Sequence, residues 1–126
     1  IQGVPKNKLI IGIAFYGRRF VIESNDSGIG KNNTLSSASA ITYTSIYNDY
    51  LLPIKNGSTT IKRYWDNTAK APYIYDGRTW ISYDDPESIK YKCQYVLDND
   101  LGGLMFWDYG EDETLQLIQA IHDNFR

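Results

Sequence analysis

Two short apolar runs, at positions 9–15 and 103–107, stand out in the hydrophobic pattern of the chain. Each run is almost uninterrupted and is bounded by turn-forming residues, which predicts a strand covered on both faces, as in a parallel sheet. The second run ends in Trp107, just before an acidic segment. A large aromatic at the carboxyl end of such a strand favours a binding site there. A plain core strand that Trp107 merely caps is the alternative interpretation.

Alternation along the first run separates two faces. One face carries the large apolar residues Leu9, Ile11, Ile13 and Phe15. The other face is small at its middle and carries Ile10, Gly12, Ala14 and Tyr16. That second face fits the crowded interior of a barrel, with Tyr16 at the rim. Arg18 or Arg19, which follow, are placed to donate hydrogen bonds near this rim.

Helical spacing of apolar residues predicts three helices. Residues 42–52 form the first, stopped by Pro53, and its tyrosines are interpreted as packing residues. Residues 85–97 form the second, with Asp85 as N-cap and Pro86 at the first helical position. Its predicted buried stripe is Ile89, Cys93, Val96 and Leu97, so that Cys93 is a small core residue rather than a nucleophile. The third helix spans 113–125 and turns Leu117, Ile118, Ile121 and Phe125 inward.

The middle of the chain has a different character. Residues 25–39 are rich in Ser, Asn, Gly and Thr and are expected to form an irregular loop. A strand is predicted at residues 61–65. The Asp76–Gly77 pair within the alternating segment 73–83 predicts a hairpin with a two-residue turn. Residues 20–83 therefore resemble a small antiparallel module inserted into a different architecture.

Around that insert, the order strand, helix, strand, helix describes two successive βα units with parallel strands. Two parallel strands do not close a barrel, so we expect the chain to be part of something larger. We predict three segments: residues 1–19 with the first outer strand, the α+β insert at 20–83, and a helix, strand and final helix at 84–126. The fold class of the chain is α+β.

Composition narrows the functional classes. The chain has 126 residues and is 42% hydrophobic and 22% charged. Its formal charge of −2 gives no sign of a basic surface that would bind nucleic acid or an anionic membrane. No apolar run is long enough to span a bilayer. One cysteine and one histidine, Cys93 and His122, argue against a disulfide, a metal site or a histidine-based triad. No metal or cofactor is expected. Eleven tyrosines and three tryptophans suit surfaces that stack on sugar rings, or simply a β-rich segment.

Three segments carry a resemblance to a known family. VPKNKLIIGIAFYGRRF at 4–20 resembles the seventh strand of glycoside hydrolase family 18 chitinases. YWDNTAKAPY at 64–73 and WISYDDPESI at 80–89 are similar to the end of their insertion domain and the helix after it. GGLMFW at 102–107 resembles their eighth strand. The resemblance covers essentially the whole chain, in the order that the family has.

The resemblance implies the last two βα units of a (β/α)8 TIM barrel, whose seventh loop carries a small antiparallel α+β insertion domain forming one wall of a substrate groove. It also implies hydrolysis of β-1,4 bonds in chitin or chitooligosaccharides by a retaining mechanism in which the substrate's acetamido oxygen is the nucleophile. The family's acid ends an Asp-x-x-Asp-x-Asp-x-Glu motif. That spacing is absent here, so no catalytic residue is assigned to this chain, which alone is expected to be inactive.

The resemblance also assigns binding roles. Trp107 matches the floor of the sugar subsite where cleavage occurs, and Met105 matches a residue lining that pocket. Tyr16 and Arg18 match groove residues at the end of the seventh strand. The secondary candidates are Trp80 and Tyr83, which could instead pack the insert against the barrel, and Asp108, whose position varies in the family.

Other interpretations stay open. The barrel could be a non-catalytic chitinase-like lectin, a peptidoglycan-directed hydrolase of the same family, or the chain could be an autonomous carbohydrate-binding module. Unpaired strand edges argue against the autonomous module, because natural domains cover them. We expect the expressed chain to cover these edges by self-association, in place of the remainder of the barrel. By family resemblance, the parent protein is expected to be secreted or displayed at the cell surface.

Overall fold

The backbone forms two separate sheets within residues 3–23 and 35–125, which are those that the computed structural model describes. The strands are β1 (Ile10–Ala14), β2 (Tyr16–Ile22), β3 (Leu35–Thr42), β4 (Lys62–Asp66), β5 (Ala71–Tyr75), β6 (Thr79–Ser82) and β7 (Gly103–Trp107). The helices are α1 (Tyr43–Ile46), a π-helical segment (Tyr47–Leu51), α2 (Leu52–Lys55), α3 (Pro86–Asp98) and α4 (Gln116–Asn124). Short 3-10 turns lie at Lys6–Lys8 and Tyr109–Glu111. No helix in this described part of the chain has the length and apolar character needed to cross a membrane.

The smaller sheet pairs β1 with β7 in parallel, from Ile10 opposite Gly103 to Ala14 opposite Trp107. This confirms both predicted strands and their parallel relation. On one face Ile13 is buried, and Phe15, just beyond β1, is buried in the same core. The prediction that both faces are covered is wrong for the described chain. The second face is open because no other described element packs on it, and Ile10 there is 50% exposed.

The larger sheet is antiparallel, with strand order β3-β2-β6-β5-β4. One of its faces packs against α1 through Ile41, Ile74, Ile81 and Ile46, all buried. The small antiparallel α+β module is therefore present. Its strand β2 already begins at Tyr16, where it pairs with Thr42. Residues 16–19 thus bond within the antiparallel sheet, and the boundary between the two units stays a proposal.

Strand β3 differs from the irregular loop expected at 25–39. Residues 35–39 pair with β2, from Arg19 opposite Ser39 to Ile22 opposite Leu35, whereas 25–34 lie outside the described residues. β3 is an edge strand whose side chains are mostly exposed. Backbone pairing with a distant segment therefore decides its structure, against the polar composition of the segment.

The helical segment after β3 also continues past the predicted stop at Pro53. The backbone N–H of Leu52 bonds to the carbonyl of Tyr47, five residues earlier, so a widened turn precedes the proline. Pro53 then lies in the first turn of α2, where its missing N–H costs little. Packing was predicted correctly: Tyr43 and Ile46 are buried, and Tyr47, Tyr50 and Leu51 pack against them.

The predicted hairpin is formed by β5 and β6, but its turn lies one residue later than expected. The N–H of Asp76 bonds to the carbonyl of Thr79, which leaves Gly77 and Arg78 as the central residues. Only Gly77 among these four residues needs a positive φ, of 97°. The Asp76 carboxylate accepts from the backbone N–H of Arg78 and Thr79 and so fixes the turn.

Helix α3 begins as predicted. The Asp85 carboxylate accepts from the N–H groups of Glu87 and Ser88, and Ser88 Oγ accepts in return from the Asp85 N–H. The buried stripe is confirmed at Ile89, Cys93 and Val96, all at most 1% exposed. Leu97 is 43% exposed instead, because it follows Val96 by about 100° around the helix and leaves the stripe.

Helix α4 begins at Gln116, three residues later than predicted. The preceding residues form a turn held by buried Asp112, whose carboxylate accepts from the N–H groups of Thr114 and Leu117. Leu115, just before the helix, has a positive φ of 60°. The predicted inward face is confirmed: Leu117 is buried and Ile118, Ile121 and Phe125 pack on the core.

A charged contact joins the antiparallel sheet to α3 and generates a stability prediction. Arg63 of β4 donates from Nε and Nη2 to the same Asp85 oxygen, at 2.9 and 2.7 Å, and Nη2 also contacts Glu87 at 2.7 Å. Asp85→Ala removes the helix cap and leaves Arg63 without its buried partner. We expect the free energy of unfolding, measured with urea, to fall by about 3 kcal/mol.

Glu87→Gln is the matched control, because it changes the exposed partner of the same arginine. Its effect should stay within about 0.5 kcal/mol. Equal losses in the two variants would show that the buried carboxylate has no special role in joining the sheet to the helix.

Candidate functional site

The open face of the parallel sheet carries two exposed apolar side chains. Met105 is 48% exposed and Trp107 is 64% exposed, and both lie on β7. They alternate with Leu104 and Phe106, which pack against the core on the other face. A β-carbon at Gly12, opposite Met105, would lie 3.4 Å from the Met105 sulfur. The glycine therefore leaves the methionine room beside β1.

Tyr16 and Arg18 lie at the start of β2, directly beyond the carboxyl end of β1. Two residues apart on one strand, they share a face. Arg18 is exposed and its guanidinium carbon is 5.8 Å from the centroid of the Tyr16 ring. Because Ala14 pairs with Trp107, Tyr16 follows the end of the sheet at which Trp107 stands. The structure therefore brings Trp107, Tyr16 and Arg18 to the carboxyl end of the parallel sheet, with Met105 two residues before Trp107 on the same face of β7.

Phe15 forms the base of this arrangement. Its N–H bonds to the carbonyl of Trp107 at 2.8 Å, and its carbonyl accepts from the N–H of Tyr43 at 3.0 Å. Its side chain is fully buried and stacks on Phe106 with ring centroids 4.7 Å apart. Backbone and side chain therefore both fix the point at which the two sheets meet beside Trp107.

The loop after Trp107 begins with Asp108, which is exposed. The peptide bond between these two residues is cis. The Asp108 carboxylate accepts from the N–H of Gly110 at 2.8 Å, so it caps the short 3-10 turn that follows. In Glu111, burial raises the pKa of the carboxyl group, as does nearby Asp108. One carboxyl oxygen of Glu111 is buried without a hydrogen-bond partner.

Sequence reasoning missed the residue that touches this loop from the antiparallel module. The Thr44 hydroxyl donates to the carbonyl of Glu111 at 3.1 Å and accepts from the N–H of Glu113 at 2.9 Å. The partners are 67 and 69 residues away along the chain. No local pattern signals a contact of this kind.

The two secondary candidates of the insert occupy different surroundings. Trp80 pairs with Phe20 across β2 and β6, with ring centroids 5.6 Å apart, and lies 6.0 Å from the ring of Tyr73. Tyr83 is only 5% exposed, and burial raises the pKa of its hydroxyl well above the ordinary value. For Tyr83 this burial supports the packing interpretation that the sequence left open.

The remaining reactive groups serve the fold. Cys93 is fully buried in α3, and burial raises the pKa of its thiol, which disfavours the nucleophilic thiolate. Asp98, Asn99 and Asp100 end α3, and Asp112 is committed to backbone N–H groups. Among the described residues, no group of three or more His, Cys, Asp or Glu side chains could hold a metal ion.

Curated relatives give an independent comparison. The chain is 38% identical to Chitinase A1 of Niallia circulans, over 90% of this chain and 17% of that protein. It is 31% identical to Chitinase B of Serratia marcescens, over 99% of this chain and 29% of that protein. The chain thus spans less than a third of the length of these relatives.

Solved structures of the same fold agree. A glycoside hydrolase family 18 N-acetylglucosaminidase from Paenibacillus barengoltzii matches with a TM-score of 0.83 and 41% identity, covering 97% of this chain and 35% of that one. The family 18 chitinase of Cycas revoluta in complex with (GlcNAc)3 matches with a TM-score of 0.83 and 28% identity, over 98% and 35%. A chitinase-like agglutinin from Robinia pseudoacacia matches with a TM-score of 0.76 and 25% identity, over 98% and 34%.

These neighbours support the interpretation of the two sheets as part of a TIM barrel with an inserted antiparallel module. The sequence model described as "Glycosyl hydrolases family 18" matches residues 1–112, most of the chain. The chain therefore belongs to glycoside hydrolase family 18.

Proposed function

We propose that this chain supplies part of the substrate groove of a glycosidase that hydrolyses β-1,4-linked N-acetylglucosamine polymers. The observation that carries the proposal is the open face of β7, where Met105 and Trp107 are exposed at 48% and 64%. Exposed apolar side chains on one strand, together with an exposed arginine donor, fit a ligand with both apolar and hydroxyl-bearing faces.

The roles of the side chains follow from their chemistry. The Trp107 indole offers a flat apolar surface for the C–H face of a pyranose ring. Met105, two residues earlier on the same face, lines the side of that position with an adaptable thioether. Arg18 presents several N–H donors from the start of β2 and would bond a sugar hydroxyl or carbonyl. Tyr16, whose ring centroid lies 5.8 Å from the Arg18 guanidinium carbon, offers its own hydroxyl.

The chemistry that we propose needs one enzyme acid. In the substrate-assisted retaining mechanism the acetamido oxygen attacks the anomeric carbon, and a carboxylic acid protonates the leaving oxygen. The spacing Asp-x-x-Asp-x-Asp-x-Glu does not occur in the 126 residues. We therefore assign the proton donor to another part of a longer protein, whose remaining strands would complete the barrel.

The complex of the Cycas revoluta chitinase with (GlcNAc)3 supports a chitooligosaccharide as ligand. Hydrolysis of a peptidoglycan glycan strand by the same groove is the main alternative substrate. A lectin is the alternative function, favoured by the likeness to the Robinia pseudoacacia agglutinin. The residue at the acid position in the longer protein distinguishes a hydrolase from a lectin.

Location follows from the substrate in this proposal. A polymer of this kind is too large to enter a cell, so we propose that the parent protein is secreted or displayed at the cell surface. Immunodetection in separated medium, surface and cytosolic fractions tests this location, and a purely cytosolic signal would contradict it.

The variant Trp107→Ala tests whether the Trp107 indole is the stacking surface for a sugar ring. In the longer protein we expect the dissociation constant for (GlcNAc)3, measured by calorimetry, to rise roughly tenfold or more, because the stacking surface is lost. Tyr95→Ala is the matched control, since Tyr95 is 57% exposed on α3 and is not part of the proposed groove. An unchanged affinity in the Trp107 variant would remove Trp107 from the site.

The 126-residue chain alone is expected not to hydrolyse a chitooligosaccharide, because it lacks the proposed proton donor. Release of reducing ends from (GlcNAc)4 by the purified chain is the measurement, and the longer protein is the positive control. Turnover by the short chain would place the acid within it.

The open sheet also predicts self-association of the expressed chain. β1 and β7 form a two-stranded sheet, so each has one edge without a partner strand in the described structure. We expect dimers or larger species in sedimentation velocity, increasing with concentration. A monomer that persists at about millimolar concentration contradicts this expectation.

A further inference from the structure

Two threonines at the start of α1, the N-cap Thr42 and Thr44, use their hydroxyl groups for different hydrogen bonds. Thr42 is the N-cap: its Oγ1 accepts from the N–H of Ser45 at 3.1 Å. That bond satisfies one of the free N–H groups at the helix start. Thr44 is consequently not required as a cap, and its hydroxyl bonds outside the helix.

Both Thr44 contacts are to the backbone of the loop after Trp107. The hydroxyl donates to the Glu111 carbonyl at 3.1 Å and accepts from the Glu113 N–H at 2.9 Å. A single hydroxyl thus joins two points of the loop to the inserted module. The side-chain hydrogen bonds of Asp108 and Asp112 in this loop are made within the segment 108–114 or to Leu117 of α4.

The same helix turn is also fixed to the end of the parallel sheet. The Tyr43 N–H bonds to the Phe15 carbonyl, and the Phe15 N–H bonds to the Trp107 carbonyl. Trp107 is therefore held on its β1 side through Phe15, and the loop that leaves it is held through Thr44. Both connections start from adjacent residues of α1.

We infer that Thr44 is a positioning residue for the binding face: its hydroxyl holds the loop at 108–113 and thereby sets how Trp107 and Asp108 are presented. The two hydrogen bonds of the Thr44 hydroxyl, to the Glu111 carbonyl and from the Glu113 N–H, are called the clamp. Through this clamp the inserted module acts on the site. As far as the role concerns sugar binding, the inference rests on the proposed function. The clamp itself does not.

Amide hydrogen exchange, followed by NMR on the 126-residue chain, tests the clamp directly. In Thr44→Val the shape of the side chain is kept and the hydroxyl is lost. We expect exchange of the Glu113 amide to accelerate roughly tenfold, since its acceptor is removed. The Leu117 amide, which bonds to Asp112 at 2.8 Å, should be unchanged and serves as the internal reference.

Two further variants separate positioning from general loss of stability. Ser45→Ala is the matched control, because it removes the neighbouring hydroxyl, whose described bond is to Thr42 within the helix. It should leave Glu113 exchange unchanged. Thr44→Ser keeps the hydroxyl and should restore slow exchange. Acceleration of both amides in Thr44→Val, or equal acceleration in Ser45→Ala, would overturn the clamp.

The consequence for the site is measured in the longer protein with (GlcNAc)3. Thr44→Val should raise the dissociation constant several-fold, while Thr44→Ser and Ser45→Ala stay near the unchanged protein. Faster loop exchange without any change in affinity would overturn the positioning role. If the unchanged protein does not bind the sugar at all, the proposed function fails, and the exchange result still decides the clamp.

Discussion

The meeting point of the two sheets at Phe15 is the constraint on which the rest of the structure depends. This residue ends the parallel strand β1 and precedes the antiparallel strand β2, so the chain changes sheet at a single position. Its N–H and carbonyl bond to different units, to Trp107 and Tyr43, and its ring is fully buried against Phe106. A buried backbone group without a partner is costly. Phe15 therefore cannot shift without breaking contacts to both units.

Next to this junction, the two faces of the parallel sheet have different surroundings. The side of the parallel sheet that carries Leu104 and Phe106 is covered by the core, whereas the side that carries Met105 and Trp107 is open. Alternation along one strand thus separates residues that hold the fold from those available to a ligand. We propose that this open side faces the groove of the complete barrel, which would account for the apolar side chains on it.

Local chemistry made much of this predictable. The apolar runs predicted β1 and β7, and Asp85 followed by Pro86 predicted the start of α3. Strand alternation separated the two faces of β1, but both faces were expected to be covered. Each signal depends on residues within a few positions of one another. Family motifs in the sequence also pointed to Met105 and Trp107 on β7 and to Tyr16 and Arg18 at the start of β2, and their binding roles stay a proposal.

The failures share a different cause. Residues 35–39 include three serines yet form a strand because β2 pairs with them. The helical segment continues past Pro53 because a widened turn precedes the proline. Thr44 looks like an ordinary residue of a helix start, and its partners are more than sixty positions away. Tertiary contacts determine the structure in these three cases, and the local propensity of the residues carries no information about such contacts. The strands that carry the candidate residues were thus predictable, whereas the contact that holds the loop after Trp107 was not.

The pairing of β2 with β6 has a consequence for how such a protein can change over time. The chain enters the antiparallel module along β2 and leaves along β6, and these strands are direct neighbours, with Arg18 opposite Ser82. Entry and exit are therefore about one strand spacing apart. A unit whose ends lie side by side can be lengthened, exchanged or lost as a cassette without altering the path of the surrounding barrel. In the proposed groove, a wall formed by this module could then evolve separately from a floor formed by β7.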